Sequence, residues 1–134
     1  MNNVLIVHTS WYEKYISQMI KVSSEILSND FKCSTAKAPG AIELAALARN
    51  KLNKNDFVGV ILMGIIIRGE TSHYDLVAQE TFRSIGSLAE NYCDIAIINS
   101  VLCIENENQL IERLEKNTKN NTNALISLID EKSI

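Results

Sequence analysis

The sequence is poor in residues that interrupt regular structure, with one proline and five glycines in 134 residues. Long irregular connections are therefore not expected, and regular elements joined by short turns are. No apolar run approaches the roughly 20 residues of a membrane-crossing helix. The first apolar stretch, Val4 to Val7, is too short for a signal segment and has no basic residues before it. A cytoplasmic location is the expectation, with no membrane partner. Cysteine is scarce: Cys33, Cys93 and Cys103 are odd in number, and their spacing matches no metal motif. We read them as reduced thiols and expect no metal. The net charge of −3 offers no basic surface for nucleic acid.

What is present suits one globular domain spanning residues 1–134. Hydrophobic residues make up 46% and charged residues 22%, ordinary values for a folded soluble chain large enough to bury a core. No internal repeat or interdomain linker is visible. Val4 to Val7 reads as a short strand. Ile16, Met19, Ile20, Ser23, Ile26 and Leu27 form a helical stripe over about Glu13 to Ser28. Phe31 to Lys37 reads as a second strand, ended by Ala38-Pro39-Gly40, and Ala41 to Leu52 as a helix rich in Ala and Leu. Phe57 to Ile67 is continuously apolar and β-branched, as a central strand buried on both faces should be.

Ser72 and Asp75 have the spacing of a helix-start capping pair. They would open a helix to about Asn91 with Val77, Ile85, Leu88 and Tyr92 on one face. Ile95 to Leu102 reads as a fourth strand. Glu105 to Glu115 reads as a helix with Leu110, Ile111 and Leu114 inward. The Asn-rich stretch from Lys116 to Asn123 is expected to break or kink the helix, with a further short helix over Ala124 to Ile129. The alternation implies an α/β protein, a flavodoxin-like three-layer α/β/α sandwich with a four-stranded parallel sheet and right-handed crossovers.

Ligands bind at the carboxyl ends of strands in such a sheet. The turn from Arg68 to His73 follows the most apolar strand, and a helix start there favours anions. One of only two histidines in the chain lies in it, and imidazole suits proton transfer near neutrality. Together these features point to a site handling a phosphorylated small molecule. Each residue also has a plainer role. A lone tryptophan such as Trp11 is more often a half-buried packing residue than a stacking platform. His73 could merely bond backbone at a helix start. Arg113 on an amphipathic helix could be a solvated charge, and Glu43 in a first helical turn is stabilising in any case. His8 is read as structural.

At these same residues the chain resembles the 6,7-dimethyl-8-ribityllumazine synthase family. Ala38-Pro-Gly-Ala-Ile-Glu43 is similar to its Pro-Gly-Ala-aromatic-Glu motif. Ile67-Arg-Gly-Glu-Thr-Ser-His-Tyr-Asp75 is similar to its Ile-Arg-Gly-x-Thr-x-His motif, which is long and specific. Asn99 to Leu102 and Gln109 to Arg113 resemble the last strand and the following helix. The resemblance runs from about Val4 to the C-terminus. It implies condensation of 5-amino-6-(D-ribitylamino)uracil with 3,4-dihydroxy-2-butanone 4-phosphate, releasing phosphate and water, with no cofactor.

By resemblance, Trp11 matches the aromatic that stacks on the pyrimidine. Ala41, Ile42 and Glu43 match the segment that holds the ribityl chain, and Ile65, Ile66 and Ile67 the strand end beside the ring. Glu70 and Thr71 match a backbone phosphate cradle, His73 the acid/base residue, and Arg113 a phosphate anchor supplied by a neighbouring subunit of a homopentamer. The chain departs from the pattern at three places. Ile42 replaces an aromatic, and Asn99 stands where many members carry a ring-stacking aromatic. The family's lysine in the loop before the last helix has no clear counterpart, Asn120 being nearest with Lys119 adjacent. The sequence begins almost at its first strand, where longer members place a segment on a neighbour's sheet. Dimerised pentamers or a 60-subunit shell are further possibilities by resemblance.

Two alternatives stand beside this reading. One is a non-catalytic relative that binds ribityl-pyrimidines or flavins. The other is a flavodoxin-like response or scaffold domain, which would want an acidic cluster at strand ends where His8, Trp11 and Pro39 are found instead.

Overall fold

The longest apolar run becomes the strand around which the rest is laid. The computed structural model describes residues 1–134. In it β1 (Asn2–Thr9), β2 (Phe31–Ala38), β3 (Gly59–Ile67) and β4 (Ala96–Ile104) form one sheet in the order β2-β1-β3-β4. Every strand pair is parallel. The helices are α1 (Glu13–Leu27), α2 (Leu44–Leu52), α3 (His73–Asn91) and α4 (Glu107–Lys132), with one 3-10 turn over Ala41–Glu43 ahead of α2. None is long and apolar enough to cross a membrane. The result is the expected flavodoxin-like α/β/α sandwich.

Side chains of β3 alternate between two cores, as a pleated strand requires. Ile61, Met63 and Ile65 join Ile16, Met19, Leu110 and Leu125 on the side of α1 and α4. Val60, Leu62 and Ile66 join Leu44, Ala48, Ile85 and Leu88 on the side of α2 and α3. Both faces are covered, so the strand needs no polar alternation. The chain crosses the sheet one way from β1 to β2 with α1 on one face. It crosses the other way from β3 to β4 with α3 on the opposite face, as a single crossover hand demands. A Cβ on Gly59 would lie 2.8 Å from Ile129 Cδ1 and 3.0 Å from Leu125 Cδ1, so this glycine lets α4 seat closely on β3.

The expected break near the C-terminus does not occur: α4 runs unbroken through the Asn-rich stretch. Leu110, Leu114, Thr118, Thr122, Leu125 and Ile129 recur at helical spacing and are all buried. Thr122 Oγ1 donates to Thr118 O at 2.7 Å and meets Ser23 Oγ of α1 at 2.8 Å. Asn121 Nδ2 donates to Ser100 Oγ of β4 at 3.0 Å. Burial of one face, with its polar groups mostly paired, outweighs the weak helix preference of the asparagines. The supposed loop around Asn120 is therefore helix interior, where Lys119 Nζ pairs with Glu115 Oε1 at 3.0 Å. Exposed Asn120 and Asn123 then carry only their propensity cost. Asn120→Ala and Asn123→Ala should each raise unfolding free energy by about 0.5 kcal/mol in urea titrations. A loop would show no gain.

Two smaller expectations also change. Ser72 gives α3 no side-chain cap. Instead Ser72 O accepts from Asp75 N at 3.1 Å, while the Asp75 carboxylate is drawn away by Arg68. Ile111, expected inward, is 60% exposed, because Leu110 and Leu114 already fill the inner face of that turn.

Candidate active site

An open cleft of about 430 Å³ lies at the carboxyl ends of β1 and β3. These neighbours are where the chain reverses its direction across the sheet, the place such folds favour for ligands. Trp11 and Tyr12 come from the turn after β1, Gly40 to Glu43 from the turn after β2, and Ile65 to Ile67 from the end of β3. Gly69, Thr71, His73, Tyr74 and Val77 form the opposite wall.

Local chemistry explains each wall. Ser10 N donates to Ala38 O at 3.1 Å and Ser10 Oγ to Pro39 O at 3.2 Å, tying the first turn to the second. Tyr12 is the only non-glycine residue with positive φ, at φ 58°. That left-handed step costs a bulky residue free energy. It also aims the Tyr12 carbonyl at Tyr15 N (2.9 Å) and Ile16 N (3.0 Å), which opens α1. A Cβ at Gly40 would lie 3.0 Å from Glu43 Oε1, so glycine there leaves the carboxylate room to fold back over the turn.

The turn before α3 is open. Gly69, Glu70 and Thr71 make no backbone–backbone hydrogen bond, and the N–H groups of Gly69, Glu70, Thr71 and Ser72 have no acceptor in the chain. They stand at the N-terminus of a 19-residue helix, where the dipole and orphan donors together favour an anion. The His73 backbone N–H donates to Thr71 Oγ1 at 3.3 Å. The His73 ring makes no hydrogen bond to protein and is exposed. Lys and Arg are absent from the lining, whose one carboxylate is Glu43. Burial pushes the Tyr74 hydroxyl above the usual phenol range. Arg68, in the chain between the lining residues Ile67 and Gly69, is taken by Asp75 and Glu105, which raise its pKa further.

Nine of the residues singled out from sequence therefore line one cleft: Trp11, Ala41, Ile42, Glu43, Ile65, Ile66, Ile67, Thr71 and His73. Trp11 is 67% exposed, so it is not packed into this chain's own core. His73 likewise does not spend its ring on backbone. Three residues lie elsewhere. Glu70 offers the cleft its backbone turn, not a lining side chain. Asn99 Oδ1 accepts from Val101 N at 2.9 Å on the edge strand β4. Arg113 is exposed on α4, in the layer on the other face of the sheet, and pairs with no carboxylate. Four further lining residues, Tyr12, Gly40, Tyr74 and Val77, are not among the expected site residues. Tyr12 follows Trp11, Gly40 and Tyr74 sit within the quoted motifs, and Val77, expected only on the inner face of its helix, follows His73 by one helical turn.

The sequence model of the 6,7-dimethyl-8-ribityllumazine synthase family matches residues 2–132. A 6,7-dimethyl-8-ribityllumazine synthase from Bartonella tribocorum is 36% identical over 120 residues, covering 88% of this chain and 79% of the relative. One from Neisseria gonorrhoeae is 38% identical over 113 residues, covering 81% and 71%. One from Sphingopyxis alaskensis is 32% identical over 120 residues, covering 89% and 84%.

Proposed function

The chain belongs to the 6,7-dimethyl-8-ribityllumazine synthase family, a transferase family of riboflavin biosynthesis, and on that premise we propose how its own residues run the reaction. The protein condenses 5-amino-6-(D-ribitylamino)uracil with 3,4-dihydroxy-2-butanone 4-phosphate. The observation that carries the site assignment is one cleft lined by an exposed Trp11, a free His73 ring, and Gly69 and Thr71 of a turn whose N–H groups have no acceptor in the chain.

Trp11 stacks on the pyrimidine, with Ile65, Ile66 and Ile67 along the ring edge. Ala41, Ile42 and Glu43 receive the ribityl chain, whose hydroxyls suit the Glu43 carboxylate. The phosphate sits on the N–H groups of the turn containing Glu70 and Thr71. The 5-amino group adds to the ketone and loses water as an imine. Proton removal then drives out phosphate, and the ribitylamino nitrogen closes the ring with loss of a second water. Each step moves a proton, and an imidazole serves in both directions near neutrality. Holding the two substrates together supplies a further large part of the rate.

A dianionic phosphate in a cleft whose lining has no Lys or Arg asks for a cation from outside the chain. Unpaired Arg113 is offered for this role by a neighbouring copy. A cyclic homopentamer fits these needs. Leu76 (65% exposed), Phe82 (47%) and Ile42 (46%) are apolar surface for its contacts. Leu44, Ala45 and Ala48, by contrast, are consumed by the chain's own core. The three unpaired cysteines agree with a reducing cytoplasm.

Incubating the protein with both substrates should produce lumazine absorbance and inorganic phosphate together. Neither signal at saturating substrate would favour the non-catalytic alternative. Trp11 gives a second readout, because it is the only tryptophan. A lumazine analogue should quench its fluorescence. Trp11→Phe should keep most of the affinity and Trp11→Ala lose it, since stacking adds about 0.5–1.5 kcal/mol beyond area burial. Unchanged fluorescence at saturation would remove the stacking role.

A further inference from the structure

The turn that carries His73 has little to hold it. From the last β3–β4 rung, Arg68 N to Ile104 O at 3.0 Å, no backbone–backbone bond forms until Asp75 N reaches Ser72 O at 3.1 Å. What spans the gap is the Arg68 side chain. Its Nε donates to Glu105 Oε2 at 2.6 Å, just beyond the end of β4. Its Nη2 and Nη1 donate to the two oxygens of Asp75 at 3.2 and 3.4 Å, in the first turn of α3. Its Cζ lies over the Tyr74 ring, 4.2 Å from the centroid, and Tyr74 is itself part of the cleft wall. One guanidinium thus fastens the residue before the turn to the residues after it and to the neighbouring strand.

Two readings of this arginine are open to physics: a direct ligand for the substrate phosphate, or a brace. Two carboxylates already engage the one guanidinium, which leaves it no free positive charge for a phosphate. The fork geometry of Arg is also already used on Asp75. We propose that Arg68 is a positioning residue, a staple with Asp75, Glu105 and Tyr74 that holds the N–H cradle and His73 at the cleft without touching substrate. The proposal rests on the functional reading above. The ion pairs are solvent-exposed, with side-chain exposures of 39%, 50% and 54%, so their share of global stability is small. Their effect falls on the turn.

The test uses full-length Arg68→Met, Arg68→Lys, Asp75→Asn and Glu105→Gln. Kinetics with both substrates, thermal unfolding, and calorimetric titration with inorganic phosphate are measured on each. Arg68→Met should lower kcat/KM for the butanone phosphate by about 10²-fold, the scale of an ångström-level misplacement. The KM for the pyrimidine and the melting temperature should stay near wild type. Arg68→Lys, which keeps charge but not the fork, should fall between. Asp75→Asn and Glu105→Gln should weaken phosphate binding, because each loosens the staple. If Arg68 were itself the phosphate ligand, freeing it from a carboxylate would tighten that binding, and this result overturns the proposal. So does an Arg68→Met protein with wild-type kinetics. Wild-type protein that forms no lumazine defeats the functional reading, while the phosphate titrations of the variants still decide the role of Arg68.

Discussion

His73→Ala is expected to lower kcat by about 10²-fold, the lower end of what a positioned acid/base supplies, with substrate KM values and assembly near wild type. The ring makes no hydrogen bond to protein and is exposed, so its removal should leave the turn standing; only the His73 backbone N–H is engaged, with Thr71 Oγ1 at 3.3 Å. No nearby group replaces it well. Burial raises the Tyr74 hydroxyl away from neutrality, and Glu43 lies across the cleft in the turn assigned to the ribityl chain. Steady-state kinetics with each substrate varied, alongside light scattering of the same sample, checks the result. A wild-type kcat would remove His73 from the proton transfers.

Arg113→Ala should raise the KM for the butanone phosphate by about 10- to 10²-fold, the equivalent of losing a charge-assisted hydrogen bond worth about 1.5–3 kcal/mol. The KM for the pyrimidine should change little, and inorganic phosphate should compete with the butanone phosphate in wild type but poorly in the variant. The reasoning is one of charge. The N–H groups before α3 orient a phosphate but bring only partial charges, and no Lys or Arg lines the cleft. Within one chain Arg113 lies in the layer across the sheet, so the contact proposed for it is with the cleft of another copy. Equal rises in both KM values would point instead to a folding or contact role.

Much of this was legible in the residues, for identifiable reasons. The run from Phe57 to Ile67 reads as a doubly covered strand because nothing polar interrupts it, and it became β3 with only Phe57 and Val58 left outside. The turn after it advertised a site by position, and the cleft gathers Trp11, Glu43 and His73 as parallel-sheet topology requires. The Asn-rich stretch misled because propensity is local, whereas Thr122 is tied to Ser23 of α1 across the chain and donates to Thr118 O within the helix. Ser72 and Asp75 matched a capping pair, yet Asp75 was claimed by Arg68, a partner seven residues back whose rotamer no spacing rule reveals. Arg113 was legible only through resemblance: its helix, considered alone, makes it one more solvated charge.

The central claim is that each active site is built from His73 of one copy and Arg113 of the next. Mixing the impaired His73→Ala and Arg113→Ala proteins, dissociating them and letting them reassemble, with activity read at butanone phosphate well below the KM of Arg113→Ala, tests it most directly. Random assembly at equal amounts should recover about a quarter of wild-type activity, since one in four neighbouring pairs then joins an intact His73 to an intact Arg113. Activity no higher than the sum of the two separate variants after demonstrated co-assembly, or full activity from a wild-type monomer under assay conditions, would contradict it.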